Sequence, residues 1–244
     1  MGGNALQDVV AAALSGVIGL VDCRAADWPQ QLADRSERLS CAAVPGTADC
    51  LREASAKRWD PADILRATGG LPILFGLAGI ALSDLEESTR VLAYTDATVE
   101  ESRRAALAGA VALFVPTPTV LKPLAGQTTE ALVYRYFRDV QAKAALPLVI
   151  YQPAGTDASY RLTPDSILSL VRLGRVRGLV MEEGGHDDFE ECVRAGRRAS
   201  FAVLCGERLF PQALEWGASG VAAPLLSERF EEIAAYMKPS VDSR

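Results

Sequence analysis

Short apolar runs alternate with amphipathic segments along this chain of 244 residues, and the alternation predicts an α/β fold, a (β/α)8 barrel. Three observations carry that prediction. The apolar runs are rich in Val, Ile and Leu and lack a polar residue at every second position, so they read as parallel strands covered on both faces. The strand–helix–strand rhythm repeats at roughly 25–35 residues, the spacing of βαβ units. The rival architecture, a doubly wound open sheet, usually announces its ligand site with a Gly-rich first turn, and neither GxGxxG nor GxxxxGK(S/T) occurs.

Taken in order, the strand candidates are Gly16–Cys23, Cys41–Pro45, Leu71–Gly76, Arg90–Tyr94, Ala112–Pro116, Leu146–Gln152, Gly178–Glu182, Phe201–Cys205 and Gly220–Ala223. Helical spacing marks Thr98–Leu107, Glu130–Ala144, Pro164–Leu173, Asp187–Gly196 and Pro211–Trp216. One of these helices is explicit in its punctuation. Thr163 suits an N-cap, Pro164 suits the first helical position where a missing N–H costs nothing, and Gly174 suits a left-handed terminus. Nine strand candidates are one too many for eight staves. The expected division treats residues 1–38 as an N-terminal extension and residues 39–244 as the barrel, with Cys41–Pro45 as its first strand.

Composition narrows the function. Hydrophobic residues make up 49% and charged residues 23%, with mean hydropathy +0.12, which excludes a disordered chain. No apolar run approaches the ~18–20 residues that span a bilayer, and the first residues lack a basic n-region. The net charge of -6 and pI near 5.0, with 21 Arg and 4 Lys scattered over helix surfaces, argue against nucleic acid as a partner. Five cysteines without CxxC or Cys/His spacing read as reduced thiols in a cytoplasmic protein, with no metal and no cofactor implied.

From Val91 to Leu225 the sequence resembles the dihydrodipicolinate synthase / N-acetylneuraminate lyase family. Thr98–Gly109 and Ala110–Pro118 are similar to that family's helix and strand ending in v-x-P-P. Leu146–Pro153 (LPLVIYQP) is similar to l-P-i-i-l-Y-n-x-P, and Leu162–Asp165 to the helix start l-s-p-e. Val176–Glu183 (VRGLVMEE) resembles i-x-G-i-K-e-s, Val203–Gly206 resembles v-x-x-G-d-d, and Gly217–Val221 resembles G-a-x-G-x-i-s. Phe75–Ile80, with Leu82, Ser83 and Glu86, is a worn counterpart of G-t-t-G-E. The resemblance implies a (β/α)8 aldolase-like lyase acting on pyruvate-like 2-oxo acids, a homo-oligomer, reduced in its N-terminal half and without most of the C-terminal helices.

The family reaction needs a lysine on the sixth strand, whose amine condenses with the 2-oxo group to make an electron sink. By the resemblance Met181 takes that position, and none of Lys57, Lys122, Lys143 and Lys238 lies on the strand. Of the family's proton relay, Tyr151 is kept. Leu77, Ala78 and Ile80 replace the Thr pair and the Glu, and the second Tyr falls near Thr119–Val120.

Tyr151 and Glu182 are therefore the catalytic candidates, and Thr119, Met181, Cys205, Glu207 and Arg208 the substrate-binding ones, because all follow strand ends at the catalytic face. Lys122 reads either as an exposed loop lysine or as a relocated nucleophile. The stretch Glu182–Asp188, with the single histidine His186, reads as a solvated helix start, as acid–base machinery, or as an oxygen-rich divalent site. Three functions stay open: a lyase or synthase for a small 2-oxo or oxygen-rich substrate working without a Schiff base, a non-catalytic ligand-binding or partner-stabilising homologue, and a Schiff-base aldolase using Lys122.

Overall fold

The computed structural model describes residues 3–21, 28–44, 72–76, 87–107, 109–197 and 201–237. Eight parallel strands close on themselves in sequence order: β1 (Val17–Leu20), β2 (Cys41–Val44), β3 (Ile73–Gly76), β4 (Ala112–Pro116), β5 (Leu148–Gln152), β6 (Val176–Met181), β7 (Ala202–Gly206) and β8 (Gly220–Pro224). Closure is direct, with Ile18 of β1 level with Ala222 of β8 on one side and Cys41 of β2 on the other. The helices are α1 (Gly3–Ala13), α2 (Trp28–Arg35), α3 (Glu87–Leu107), α4 (Thr129–Lys143), α5 (Pro164–Arg172), α6 (His186–Arg197), α7 (Gln212–Glu215) and α8 (Phe230–Met237). Among the described residues no helix is long and apolar enough to cross a membrane.

The expected division of the chain at residue 38 is corrected. Val17–Leu20 lies inside the segment read as an extension, yet it is the first stave, and Cys41–Val44 is the second. The surplus strand was Arg90–Tyr94, which is part of the 21-residue helix α3. Its buried face is Tyr94, Thr95, Thr98, Val99, Ser102 and Ala105, spaced by three and four residues. Half of that stripe is Thr or Ser. Thr95 and Thr98 donate to the carbonyls four residues back, at 2.7 and 2.8 Å, and Ser102 to the carbonyl of Val99, at 2.6 Å. The period is thus invisible when only apolar residues are counted, and Val91-Leu92-Ala93-Tyr94 alone looks like a strand. The turn assigned to G-t-t-G-E follows the third strand, not the second, and Leu77, Ala78 and Ile80 lie outside the described residues.

The remaining punctuation holds. The Thr163 hydroxyl accepts from the Ser166 N–H at 3.3 Å, Pro164 opens α5, and Gly174 has φ +88°. The barrel is reduced on its early side, where β1–β3 have four residues each against five or six for β4–β8.

Strand alternation makes two cores. Ile18, Leu20, Cys41, Ala112, Phe114, Val149, Tyr151, Val180, Leu204 and Ala222 fill the barrel interior, joined by Val10, Ala13 and Leu14 at the end of α1. Leu14 reaches the wall at Gly178, where any Cβ would come within 2.9 Å of its Cδ1. α1 therefore plugs the N-terminal end of the barrel. The alternate residues, including Leu179, Met181, Val203, Cys205 and Val221, face outward into the layer shared with the helices.

Candidate active site

The C-terminal mouth is where the strand ends deliver side chains into a common space. Tyr151, near the end of β5, stacks on Phe114 of β4 with ring centroids 4.7 Å apart and an interplanar angle of 30°. Its hydroxyl donates to Glu182 Oε1 at 2.7 Å. Glu182 is the residue after β6, and the sheet pattern continues into it: its N–H donates to the Gln152 carbonyl at 3.1 Å. Its second oxygen accepts from the Ala154 N–H at 2.8 Å, so both carboxylate oxygens are held. Room for this side chain is made by Gly206 at the end of β7, where a Cβ would approach Glu182 Cγ to 2.7 Å and its Cα to 2.9 Å.

The electrostatics follow from the placement. Burial first, then the Glu182 charge and the hydrogen bond to it, push the Tyr151 hydroxyl well above the ordinary phenol range. Tyr151 is therefore a neutral donor at any physiological pH. A phenolate beside the carboxylate would place two negative charges in one partly dry site.

A second tier of contacts ties the rim loops together. Glu183 accepts from the Gly155 N–H at 3.0 Å, from Arg161 Nη2 at 3.2 Å and from Arg208 Nη1 at 3.2 Å. One carboxylate thus joins the loops after β5, β6 and β7. Glu207 accepts from the Ser227 hydroxyl, and Arg229 donates to the Glu207 carbonyl at 3.0 Å, which anchors the β7 loop to the start of α8.

Of the residues expected at the site, Tyr151 and Glu182 come together as a bonded pair. Arg208 and Glu207 are at the rim, each engaged by the contacts just described. Thr119 is exposed on the loop after β4. Met181 and Cys205 correct the expected lining. Tyr151, Val180 and Leu204 are level with one another across β5–β7, and so are Gln152, Met181 and Cys205. The first set faces the interior and the second faces the helices. Val180, one residue before Met181, is therefore the inward position beside Tyr151. Cys205 donates its thiol toward the Gly220 carbonyl at 3.7 Å, and burial pushes it up to about 12, the state of an inert packed thiol.

Lys122 is exposed on the β4 loop. His186 and Asp187 start α6 on the outside, His186 lying edge-on to Trp216 at 5.1 Å, so the acidic stretch divides: Glu182 inward, Glu183 at the rim, the rest a helix start. The sequence reading missed Val180, Phe114 and Glu183. A consistent alternation counted outward from Tyr151 supplies the first two, but nothing local marks Glu183 as the hub of three loops.

These features define a (β/α)8 barrel with a tyrosine–carboxylate pair in its C-terminal mouth. The chain's homologues and structural neighbours are members of the dihydrodipicolinate synthase family. Over 162 residues it is 28% identical to a 4-hydroxy-tetrahydrodipicolinate synthase of Stenotrophomonas maltophilia (strain R551-3), a match covering 66% of this chain and 48% of that protein. A second protein of that description, from Thermodesulfovibrio yellowstonii, is 25% identical over 115 residues, 47% of this chain and 34% of the relative. The chain spans about half the length of the curated relatives it matches first.

Among solved structures, dihydrodipicolinate synthase from Thermotoga maritima superposes with a TM-score of 0.67 at 18% identity, covering 88% of this chain and 71% of that one. A prophage protein of the same family from E. coli K12, in complex with pyruvate, gives 0.66 at 20% identity, covering 87% and 70%. No family model matches the chain.

Proposed function

We propose that this barrel is a lyase or synthase of the dihydrodipicolinate synthase type that acts on a small 2-oxo or oxygen-rich substrate by acid–base chemistry, without a Schiff base. The observation that carries the reading is the Tyr151–Glu182 pair at 2.7 Å, beside an inward position filled by Val180. A valine cannot condense with a carbonyl, and Lys122 is exposed on a loop rather than inside the barrel.

The pair supports a dehydration, or its reverse, in balanced steps. Glu182 takes a proton from the carbon next to the substrate carbonyl. The C–O bond on the neighbouring carbon breaks, and Tyr151 gives its proton to the leaving oxygen, which departs as water. The proton on Glu182 then crosses the existing hydrogen bond to restore Tyr151. A neutral phenol donor hydrogen-bonded to a carboxyl acceptor provides the two roles such a step needs.

Calorimetric titration tests this reading. Pyruvate and longer 2-oxo acids should bind the native protein reversibly, and Tyr151→Phe or Glu182→Gln should weaken the best of them by at least tenfold while leaving the melting temperature within a few degrees. Unchanged affinity in both variants would remove the pair from the site.

A further inference from the structure

At the end of the barrel opposite the tyrosine–carboxylate pair, a cavity of about 420 Å³ lies between α1 and the starts of β6 and β7. Val10, Leu14 and Phe201 give it an apolar wall, and its charged side chains are Asp8 of α1, Arg177 of β6 and Arg197 at the end of α6. Arg177 owes its place to a register shift. Leu148 is level with Val176, both in the layer shared with the helices, and Val149 is level with Gly178, which meets Leu14 on the interior side. Arg177 is the extra residue between them, and a bulge of this kind re-aims a side chain. It is half-buried, yet neither it nor Arg197 makes a hydrogen bond or ion pair among the described residues. The Arg197 guanidinium lies over Gly217, where a Cβ would come within 2.8 Å of its Nη2. An arginine withdrawn from water is normally paired, so these two point to an anion that is supplied from outside.

We infer that this cavity is a second small-molecule site, at the opposite end of the barrel from the mouth and independent of the reaction proposed there. It takes a compact organic anion, whose carboxylate accepts from the Arg177 and Arg197 guanidiniums and whose apolar body packs on Leu14 and Phe201. Two positive charges against the single negative one of Asp8 select the sign of the ligand. The contrast with the mouth is direct, because Arg161 and Arg208 there are both already held by Glu183, each at 3.2 Å. The volume falls within the roughly 300–1,000 Å³ of small-molecule pockets.

The probe is benzoate, a carboxylate on an apolar ring, titrated calorimetrically into the full chain, with benzyl alcohol as its uncharged counterpart. The inference predicts saturable benzoate binding and at least tenfold weaker binding of benzyl alcohol. Arg177→Gln and Arg197→Gln should each weaken benzoate at least tenfold, and Asp8→Asn should strengthen it, because the opposing charge is gone. Arg197 is exposed, so its variant carries the test even where the bulge does not tolerate Arg177→Gln. Arg172→Gln, which removes an exposed arginine of α5, and Tyr151→Phe should leave benzoate affinity unchanged. The absence of saturable binding to the native chain would overturn the inference, as would unchanged affinity in a folded variant of either cavity arginine. An equal loss in Arg172→Gln would show unspecific charge attraction only, and a loss in Tyr151→Phe would put benzoate in the mouth; either result overturns the second site.

Discussion

The two faces of the β5–β6 ribbon, only one residue apart in sequence, are built on opposite principles. On the inner face Tyr151 and Glu182 are polar groups with every important atom partnered: phenol to carboxylate, carboxylate to the Ala154 N–H. On the outer face Gln152 and Met181 are buried more deeply than Glu182, and the Gln152 amide nitrogen is sealed away without a hydrogen-bond partner. A satisfied buried network rigidifies and fixes geometry, whereas an unsatisfied buried group costs free energy. The inner face is a closed hydrogen-bond network, and the outer face keeps one unpaired donor.

The largest expected effect breaks the inner face. Phe114 is fully buried and supports the Tyr151 ring. Phe114→Ala should cost about 3–5 kcal/mol of stability in denaturant titration, the usual range for deleting a buried aromatic.

Next comes the register itself. Val180→Lys should place an amine beside Tyr151 and convert the protein into one that borohydride traps with pyruvate. Met181→Lys puts the same amine in the outer layer and should not be trapped. Mass spectrometry of the two variants separates the inward position from its neighbour.

A smaller effect is a pH dependence. The Tyr151 hydroxyl is raised in the folded state, so above the ordinary tyrosine pKa of about 10 the unfolded chain gives up a proton that the native state keeps. Stability contributed by the neutral phenol is fully present below that pH and falls as pH rises beyond it. Tyr151→Phe should flatten this alkaline limb of the stability profile. The buried thiols act in the same direction: Cys192 and Cys205 are each pushed up to about 12, chiefly by burial, and should resist alkylation until the protein unfolds. The smallest effect is on the outer face, where Gln152→Met should change stability by less than about 1 kcal/mol, because an apolar side chain of similar shape removes the unpaired N–H.

Much of this was legible in the sequence, and the misreadings have physical causes. Long apolar strands and the Thr163–Pro164 helix start stood out because burial and capping act within a few residues. The helix α3 did not, because Thr95, Thr98 and Ser102 bury hydroxyls that satisfy themselves on their own helix, so a polar stripe does the work of an apolar one. That error displaced the strand count and sent Val17–Leu20, which pairs with residues some 200 positions away, out of the barrel. Tyr151 and Glu182 were found by placing strand ends at one rim. The Met181 assignment failed because a one-residue slip in register moves a side chain to the other face. Gln152 carried no sequence signal at all: an unpaired amide is a property of its surroundings.

The proposal that the barrel works through Tyr151 and Glu182 rather than through a lysine is tested most directly by reducing the native protein with borohydride in the presence of pyruvate and weighing it. The account predicts an intact mass unchanged under conditions that modify the Val180→Lys variant. A reduced pyruvyl adduct on any lysine of the native chain, Lys122 included, would contradict it.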